Sequence, residues 1–226
     1  SSGTRSGSPG TSQASPTGSP TVMVTAQVPG GAPSVTNVFG GTTLAGTIPL
    51  ADISPTSSTV RGVRLTGTLA GERVASHLAE AGDINGDGYG DVLIGQATIA
   101  VGATTSTAGS VSVLYGGPTF ASTDFSAASH ALASVAAYVL QGSGDATVLD
   151  NCAGVGDLDH DGFGEIVVGS IAGAGSKGIF YLVYGSGSLS GTVAASTVAS
   201  ASFVSRTAGY GAGAAAAAAG DVNGDG

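Results

Sequence analysis

The chain has 226 residues and a formal net charge of −9, yet only 9% of its residues are charged. This length allows one large all-β domain or two small ones. The six Lys and Arg residues are scattered along the chain, which argues against the clustered basic surface that nucleic acids or anionic membranes require. No apolar run approaches the roughly 18 residues of a membrane-spanning helix. We therefore expect neither nucleic-acid binding nor direct membrane insertion by this segment.

The N-terminal segment, residues 1–21, consists almost entirely of Ser, Thr, Pro and Gly. Such a composition cannot form a core and predicts an extended linker or stalk. It is also the composition of O-glycosylated stalks. If the segment is ordered, it docks either on a neighbouring subunit or on its own domain, and the sequence does not choose between the two.

Residues 22–226 contain a repeat of short apolar runs, which are rich in Val, Ile and Tyr and bounded by Gly, Ser and Thr. These are the signals of strands and turns, respectively. We divide them into a partial unit (22–67), two full units (68–142 and 143–205) and a truncated unit (206–226). In chain order, the runs that we predict to be strands are 35–40, 63–67, 71–81, 92–95, 110–116, 138–142, 145–155, 166–169, 178–185 and 209–219.

Four short strands per unit, arranged radially, are typical of a propeller blade. No segment shows a sustained helical period. The Ala-rich run 214–219 has a high intrinsic helix propensity, but it aligns with the first strand of the other units, so we predict an innermost strand there. The expected fold is all-β, with blades of four antiparallel strands and about three blades in a partial propeller.

Three acidic loops provide the strongest functional signal, at 83–91, 157–165 and 221–226. In the two complete loops, oxygen-bearing side chains stand at loop positions 1, 3, 5 and 9, with Gly at position 6. This alternation points several hard oxygens at one centre, as Ca²⁺ requires. Nine of the 15 acidic residues lie in the loops, and the other six match the number of Lys and Arg. The excess negative charge is therefore located where a cation would bind.

We predict that each loop binds calcium through side-chain oxygens and, in the first two loops, through one backbone carbonyl. Gly88 and Gly162 should adopt the positive φ that bends the chain around the ion. The predicted ligands are Asp83, Asn85, Asp87, the carbonyl of Tyr89 and Asp91; Asp157, Asp159, Asp161, the carbonyl of Phe163 and Glu165; and Asp221, Asn223 and Asp225.

Other metals and other loop types fit the pattern less well. An EF-hand needs Glu at position 12, where this chain has Ile94 and Val168. Mg²⁺ resists dehydration by an all-protein cage, and Zn²⁺ favours His or Cys ligands, whereas His160 occupies an outward-pointing position. The remaining alternative is a plain Asp/Asn/Gly turn without a metal.

The acidic loop, the apolar run after it and the later strand ending in Tyr-Gly together resemble the FG-GAP repeat. This is the blade of the integrin α-chain-type β-propeller. The resemblance is strongest at 71–117 and 145–186. It implies a propeller with Ca²⁺ between the first two strands of several blades, and recognition at the cell surface or outside the cell. Two departures are the absence of Phe-Gly before the loops and Glu165 in place of the usual Asp.

A ring of this kind usually takes about seven blades, so we expect either a longer chain or neighbouring chains to complete it. No Gly-x-Ser-x-Gly, P-loop or His-Glu-x-x-His motif occurs, and His77, His130 and His160 have no catalytic spacing. We therefore expect a non-enzymatic, calcium-binding segment of a large extracellular or cell-surface protein. Its role would be structural or adhesive, with proteins or copies of itself as partners.

Two alternatives stay open. The chain is the building block of an extracellular filament or surface appendage, or it is a carbohydrate-binding propeller with glycans as ligands. The single cysteine, Cys152, excludes an intrachain disulfide. We expect it to be a small buried apolar residue.

Overall fold

The structure is a computed structural model that describes residues 22–26, 34–38, 45, 47–54, 57, 60–67, 72–98, 109–117, 129–142, 148–149, 151–220 and 222–224. The predicted stalk (1–21) and the predicted ligands Asp221 and Asp225 lie outside the described residues. The described residues are mostly β and form three sheets, none of which closes on itself. The all-β prediction is therefore confirmed. No described helix is long and apolar enough to cross a membrane.

Thirteen strands are described. In chain order they are β1 (Val22–Ala26), β2 (Ser34–Val38), β3 (Gly62–Thr66), β4 (Glu72–Gly82), β5 (Asp91–Thr98), β6 (Ser110–Leu114), β7 (Ser129–Ala131), β8 (Tyr138–Gln141), β9 (Asn151–Gly156), β10 (Glu165–Ser170), β11 (Ile179–Val183), β12 (Gly191–Ala194) and β13 (Ala201–Val204). The helical turns are a 3₁₀ turn (Leu50–Asp52), α1 (Leu132–Val135) and α3 (Ala195–Val198), whereas α2 (Gly173–Ser176) is a tight turn in which Ala174, Gly175 and Ser176 have positive φ.

The strand order is β1-β2-β3-β7 in the first sheet, β4-β5-β6-β8-β12 in the second and β9-β10-β11-β13 in the third. In the second sheet, β4, β5, β6 and β8 pair with one another antiparallel in chain order. In the third sheet, β9, β10, β11 and β13 do the same. In the first sheet, β1, β2 and β3 correspond to the second, third and fourth of these strands, since each group is linked by the same antiparallel pairing.

The pairing between the second and third strands has the same register in all three sheets. Each third strand ends just before an aromatic-Gly pair, and its last residue faces the first apolar residue of the second strand. The facing pairs are Val22 with Val38, Val92 with Leu114, and Ile166 with Val183. Thus β1 occupies the same structural position as β5 and β10.

The outer edge of each of the first two sheets carries a strand from the following unit. β7 pairs in parallel with β3, and β12 pairs in parallel with β8. This corrects the expectation of blades made only of four antiparallel strands. The added strand satisfies backbone groups that the outer strand would otherwise expose as an unpaired edge.

A helical turn follows each added strand and returns the chain to its own sheet. Ala131 and Ala194, the residues before α1 and α3, share one extended conformation, with φ/ψ of −67°/128° and −73°/127°. The Ser134 hydroxyl donates to the Ala131 carbonyl and the Thr197 hydroxyl to the Ala194 carbonyl, both at 2.7 Å. Pro49, before the 3₁₀ turn, has the same conformation at −64°/131°. We call each such extended segment with its turn a hook.

The sheets pack face to face through two apolar clusters. One cluster lies between the first and second sheets and includes Leu65, Ile94, Leu114 and Leu132. The other lies between the second and third sheets and includes buried residues from both: Ile84, Leu93, Val113, Leu140, Cys152, Ile166 and Val168. The interpretation of Cys152 as a buried apolar residue is confirmed.

The Ala-rich run does not form the innermost strand that we expected. Residues 215–220 belong to none of the described sheets, and most of the run 214–219 is exposed. The run is fixed beside β9, because the Asn151 side-chain amide donates to the Gly213 carbonyl at 3.0 Å. A strand forms only where a neighbouring strand exchanges backbone hydrogen bonds with it, and no described strand pairs with residues 214–219.

Candidate metal centre

The first two acidic loops occupy equivalent places in the fold. The first joins β4 to β5, and the second joins β9 to β10. The backbone turns into each loop at a glycine with positive φ, Gly82 (76°) and Gly156 (85°). The two loops are adjacent, since the Gly164 N–H donates to the Asp83 carbonyl at 2.7 Å.

In the first loop, side-chain oxygens accept hydrogen bonds from the loop's own backbone. The two carboxylate oxygens of Asp83 accept from the N–H groups of Asp87 (3.0 Å) and Gly88 (2.7 Å). Asn85 Oδ1 accepts from Asp87 N–H at 3.1 Å, and Asp87 Oδ1 accepts from Tyr89 N–H at 2.9 Å. These bonds curl the loop so that positions 1, 3 and 5 point inward.

The second loop repeats the same bonds. The Asp157 carboxylate accepts from the N–H groups of Asp161 (3.1 Å) and Gly162 (3.0 Å). Asp159 Oδ1 accepts from Asp161 N–H at 3.3 Å, and Asp161 Oδ1 accepts from Phe163 N–H at 2.9 Å. Two loops that differ at five of nine positions thus adopt one conformation, because positions 1, 3 and 5 carry a side-chain oxygen in both and accept the same backbone hydrogen bonds.

Asp91, at position 9 of the first loop, is buried and joins the loop to the rest of its sheet. Its carboxylate accepts from Ile84 N–H at 2.8 Å and from Gly116 N–H at 2.7 Å. Burial raises the pKa of Asp91 to about 6; the two backbone hydrogen bonds act to lower it, and the charges of Asp87 and Asp83 raise it further. The fold therefore holds an acid where its ionised form is disfavoured unless a cation is near.

Glu165 takes the same position in the second loop. Its carboxylate accepts from the N–H groups of Leu158 and Gly185. Burial raises the pKa of Glu165, the same two hydrogen bonds lower it, and the charges of Asp159 and Asp157 raise it. The longer Glu side chain is therefore accommodated with the partners that Asp91 has.

The glycine of each Tyr-Gly pair has a steric reason. A Cβ on Gly116 would lie 2.3 Å from the Gly90 carbonyl oxygen, and one on Gly185 would lie 2.5 Å from that of Gly164. Any larger residue would push the third strand away from the loop. The pair therefore sets the distance at which Gly116 and Gly185 donate to the position-9 acids. The sequence analysis did not predict this steric role of the glycine, although the Tyr-Gly pair recurs at the same place in both units.

Gly88 and Gly162 have φ of 88° and 94°, as we predicted. Position 4 also has positive φ in both loops, at Gly86 (73°) and at His160 (62°). The His160 side chain is exposed. The position-7 aromatic Phe163 lies against the neighbouring loop, since a Cβ on Gly86 would come within 2.8 Å of its ring.

Four acids of the second loop lie close enough to share one cation. Their ligating oxygens are all within 4.8 Å of one another, in the group Asp157, Asp159, Asp161 and Glu165. Asp157 is half-buried, Asp159 and Asp161 are exposed, and Glu165 is buried. This cluster can hold a metal ion. Carboxylate oxygens are the donors that hard divalent cations prefer, so the residues present fit such an ion.

The first loop offers a different donor set. Asn85 replaces Asp159, and its amide Nδ2 donates to Asp87 Oδ2 at 2.9 Å. The predicted side-chain ligands Asp83 and Asn85 both accept from Asp87 N–H. Asp91 accepts from Ile84 N–H, in the same loop. The roles of the Tyr89 and Phe163 carbonyls as ligands stay predictions.

The third loop is described only at residues 222–224. Asn223 is exposed, and Gly224 has the φ of 73° that Gly86 has in the first loop. Gly220 has φ of 67°, like Gly82 and Gly156 at the same position. The backbone therefore enters the third loop as it enters the other two.

No protein-family model matches the chain, and no curated protein matches it.

Proposed function

We propose that this chain is a non-enzymatic, calcium-binding β-propeller segment of an extracellular or cell-surface protein, with a structural or adhesive role. The observation that carries the proposal is the second loop, where four carboxylates converge within 4.8 Å. Without a cation, their mutual repulsion and the burial of Glu165 oppose folding. Calcium removes both penalties, so the ion holds the loop and the two strands that it joins.

The blade architecture is supported by the repeated register of the three sheets and by their face-to-face packing. Radial repetition of four-stranded sheets is the propeller plan. Each loop lies between the first and second strands of its sheet, which is where the resemblance to FG-GAP repeats implies the calcium. The extracellular, adhesive role is inferred from that resemblance.

Calcium is preferred over other divalent ions because of ligand number and type. Each complete loop offers at least four oxygen donors from side chains, and Ca²⁺ takes six to eight oxygens. Affinity in extracellular modules is weak, with dissociation constants of about 0.1–1 mM. We expect this range here.

The test is a calcium titration of the chelator-treated chain by calorimetry, with Asp161→Asn as the site variant. Asp52→Asn is the matched control, because Asp52 is an exposed acid outside the loops. We expect Asp161→Asn to weaken calcium binding about tenfold and Asp52→Asn to leave it unchanged. No heat of binding from the wild-type chain at millimolar calcium would contradict the proposal.

A further inference from the structure

The first and second acidic loops are joined by a buried hydrogen bond. The Gly164 N–H, at position 8 of the second loop, donates to the backbone carbonyl of Asp83, at position 1 of the first, at 2.7 Å. Gly164 is buried, and it lies between two predicted ligands, the carbonyl of Phe163 and the carboxylate of Glu165. The bond therefore connects the ligand-bearing backbone of one loop to the ligand-bearing backbone of the other.

The Phe163 ring makes a second contact between the loops. It covers Gly86, because a Cβ on that glycine would lie 2.8 Å from the ring. Gly86 is the positive-φ bend at position 4 of the first loop, with φ of 73°. The aromatic residue of the second loop therefore packs on the bend that shapes the first.

A third contact joins the two Tyr-Gly anchors. Gly116 and Gly185 donate to the position-9 acids of the first and second loops, respectively. The hydroxyl of Tyr115, the residue before Gly116, donates at 3.2 Å to the carbonyl of Ser186, the residue after Gly185. The backbone that holds one buried acid is therefore bonded to the backbone that holds the other.

The backbones of the two loops and of one anchor also pack closely together. A Cβ on Gly185 would lie 2.5 Å from the Gly164 carbonyl oxygen and 2.8 Å from the Ile84 carbonyl oxygen. Ile84, at position 2 of the first loop, is 1% exposed and belongs to the cluster between the second and third sheets. Close-packed segments cannot shift singly without a clash or a void. The two loops therefore share one arrangement.

We propose that calcium binding at the first and second loops is positively coupled, so that an ion in either loop raises the affinity of the other. An ion that orders the second loop also fixes Gly164 and Phe163, and these fix the Asp83 backbone and the Gly86 bend. The first loop then loses less conformational entropy when it binds its own ion. Coupling of binding free energies is reciprocal, so the same factor applies in the other direction. The inference rests on the calcium binding proposed above.

Charge alone predicts coupling of the opposite sign. An ion in one loop reduces the negative charge that attracts a cation to the other, so two sites that interact only through charge bind their second ion more weakly. A rise in affinity therefore identifies the contacts between the loops as the cause. Coupling between sites is typically about 5–150-fold. We expect about fivefold here, at the low end of that range, because charge opposes the contacts.

Nuclear magnetic resonance measures the affinity of each loop separately. The Gly88 N–H donates to the Asp83 carboxylate in the first loop, and the Gly162 N–H donates to the Asp157 carboxylate in the second. The amide resonance of each glycine therefore reports calcium in its own loop. A calcium titration of the chelator-treated chain gives one dissociation constant per loop.

The coupling factor follows from disabling the second loop. Asp157→Ala with Asp161→Ala removes two of its four carboxylates and changes no residue of the first loop. Four carboxylates with one Ca²⁺ carry a net charge of −2, and so do the two carboxylates that remain without the ion. The comparison therefore keeps the net charge beside the first loop constant. We expect calcium to bind the first loop about fivefold more weakly in this variant, and an unchanged dissociation constant would overturn the coupling.

The reciprocal variant, Asp83→Ala with Asp87→Ala, disables the first loop. It leaves Asp91, whose single charge equals that of the native three acids with a bound Ca²⁺. We expect calcium to bind the second loop about fivefold more weakly, as read at Gly162. An effect in only one direction would overturn the coupling, because linkage requires the two factors to be equal.

Tyr115→Phe tests the route of the coupling without changing a ligand. It removes the hydroxyl that donates to Ser186 and keeps the ring. In a double-mutant cycle with the disabled second loop, the coupling factor should fall from about fivefold to about twofold, as expected when one hydrogen bond is lost. Tyr184→Phe is the matched control, because Tyr184 precedes Gly185 as Tyr115 precedes Gly116, and no described residue accepts from its hydroxyl. It should leave the factor at about fivefold.

The outcomes separate the coupling from the calcium binding on which it rests. The absence of calcium-dependent shifts at both Gly88 and Gly162 contradicts the proposed function and removes the coupling with it. Calcium binding at both loops with a coupling factor of one or less overturns the coupling alone. Equal coupling factors in Tyr115→Phe and Tyr184→Phe overturn the assignment of the Tyr115 contact as a route.

Discussion

The first and second acidic loops have one backbone conformation but different charges. In both loops, side-chain oxygens at positions 1, 3, 5 and 9 accept the same hydrogen bonds from backbone N–H groups. In the first loop, the Asn85 amide donates to Asp87. In the second, Asp159 places a carboxylate there, and four acids converge. The shared hydrogen bonds therefore set the shape of the loop, and the residue at position 3 sets how many carboxylates meet inside it.

The shape comes from bonds that both loops share, so it does not depend on the fourth acid. We propose that the need for a cation comes from the extra carboxylate of the second loop, because Asp159 has no amide to donate to Asp161 as Asn85 donates to Asp87. We therefore expect both loops to bind calcium and the second loop to depend on it more than the first.

Calcium removal should have the largest effect. Calcium at ten to a hundred times its dissociation constant adds about 1.4–2.7 kcal/mol per site to the free energy of unfolding. Two sites together therefore add about 3–5 kcal/mol, and the melting temperature should fall by roughly 10 °C in EGTA. Hydrogen exchange should accelerate more at 157–165 than at 83–91. A thermal melt that EGTA does not change would contradict the account.

The pH dependence of stability without calcium should come next. The pKa of Asp91 rises from 3.8 to about 6 in the folded state because of burial. Between these values the folded state holds a proton that the unfolded state has lost, so stability is highest below about pH 4 and falls as the pH rises towards about 6. The loss should be on the order of 2–3 kcal/mol.

Urea unfolding at several pH values in EGTA measures this slope. Asp91→Asn should reduce the slope, and Glu165, whose pKa burial also raises, should account for part of the slope that remains. Asp52→Asn, which changes an exposed acid outside the loops, should leave the slope as it is. An equal slope in Asp91→Asn and the wild type would show that another group carries the dependence.

The Tyr-Gly glycines test the shared shape. Ala at Gly185 would place a Cβ 2.5 Å from the Gly164 carbonyl oxygen, and we expect it to cost about 1–3 kcal/mol of unfolding free energy. Gly187→Ala is the control in the same turn, since the nearest atom would be 3.7 Å away. Gly116→Ala should cost about as much as Gly185→Ala. A cost confined to one loop would show that the two anchors differ.

An exchange at position 3 should have the smallest effect. Asp159→Asn gives the second loop the amide of the first, so we expect it to stabilise the calcium-free chain by about 0.5–1.5 kcal/mol. It should also weaken calcium binding at that loop. Asn85→Asp should do the reverse in the first loop. Paired melts in calcium and EGTA measure both changes, and effects of the same sign in the two variants would disprove this comparison.

Sequence reasoning found the parts of the fold that are locally encoded. Runs such as 92–95 and 166–169 are apolar, β-branched and bounded by Gly, so their strands were predictable. The acidic loops and their positive-φ positions, Gly88 and Gly162, followed from side-chain spacing alone. The observed positions agree because these features depend on contacts within about ten residues.

Features set by neighbouring sheets were not predictable. The hook strands β7 and β12 lie in Ser- and Ala-rich sequence without a period, and their pairing with β3 and β8 exists only because those edges are nearby. The donation from Gly116 to Asp91 joins residues 25 apart. The Ala-rich run 214–219 aligned with a first strand, but a strand also needs a partner, which the sequence pattern does not supply.

The most direct measurement is a crystal structure at millimolar calcium with anomalous diffraction data. We expect an anomalous peak inside the second loop, 2.3–2.6 Å from carboxylate oxygens of Asp157, Asp159 and Asp161, and a second peak inside the first loop. If density between these carboxylates is absent while calcium is abundant in the crystal, the loops are turns built from Asp, Asn and Gly, and calcium does not hold this fold.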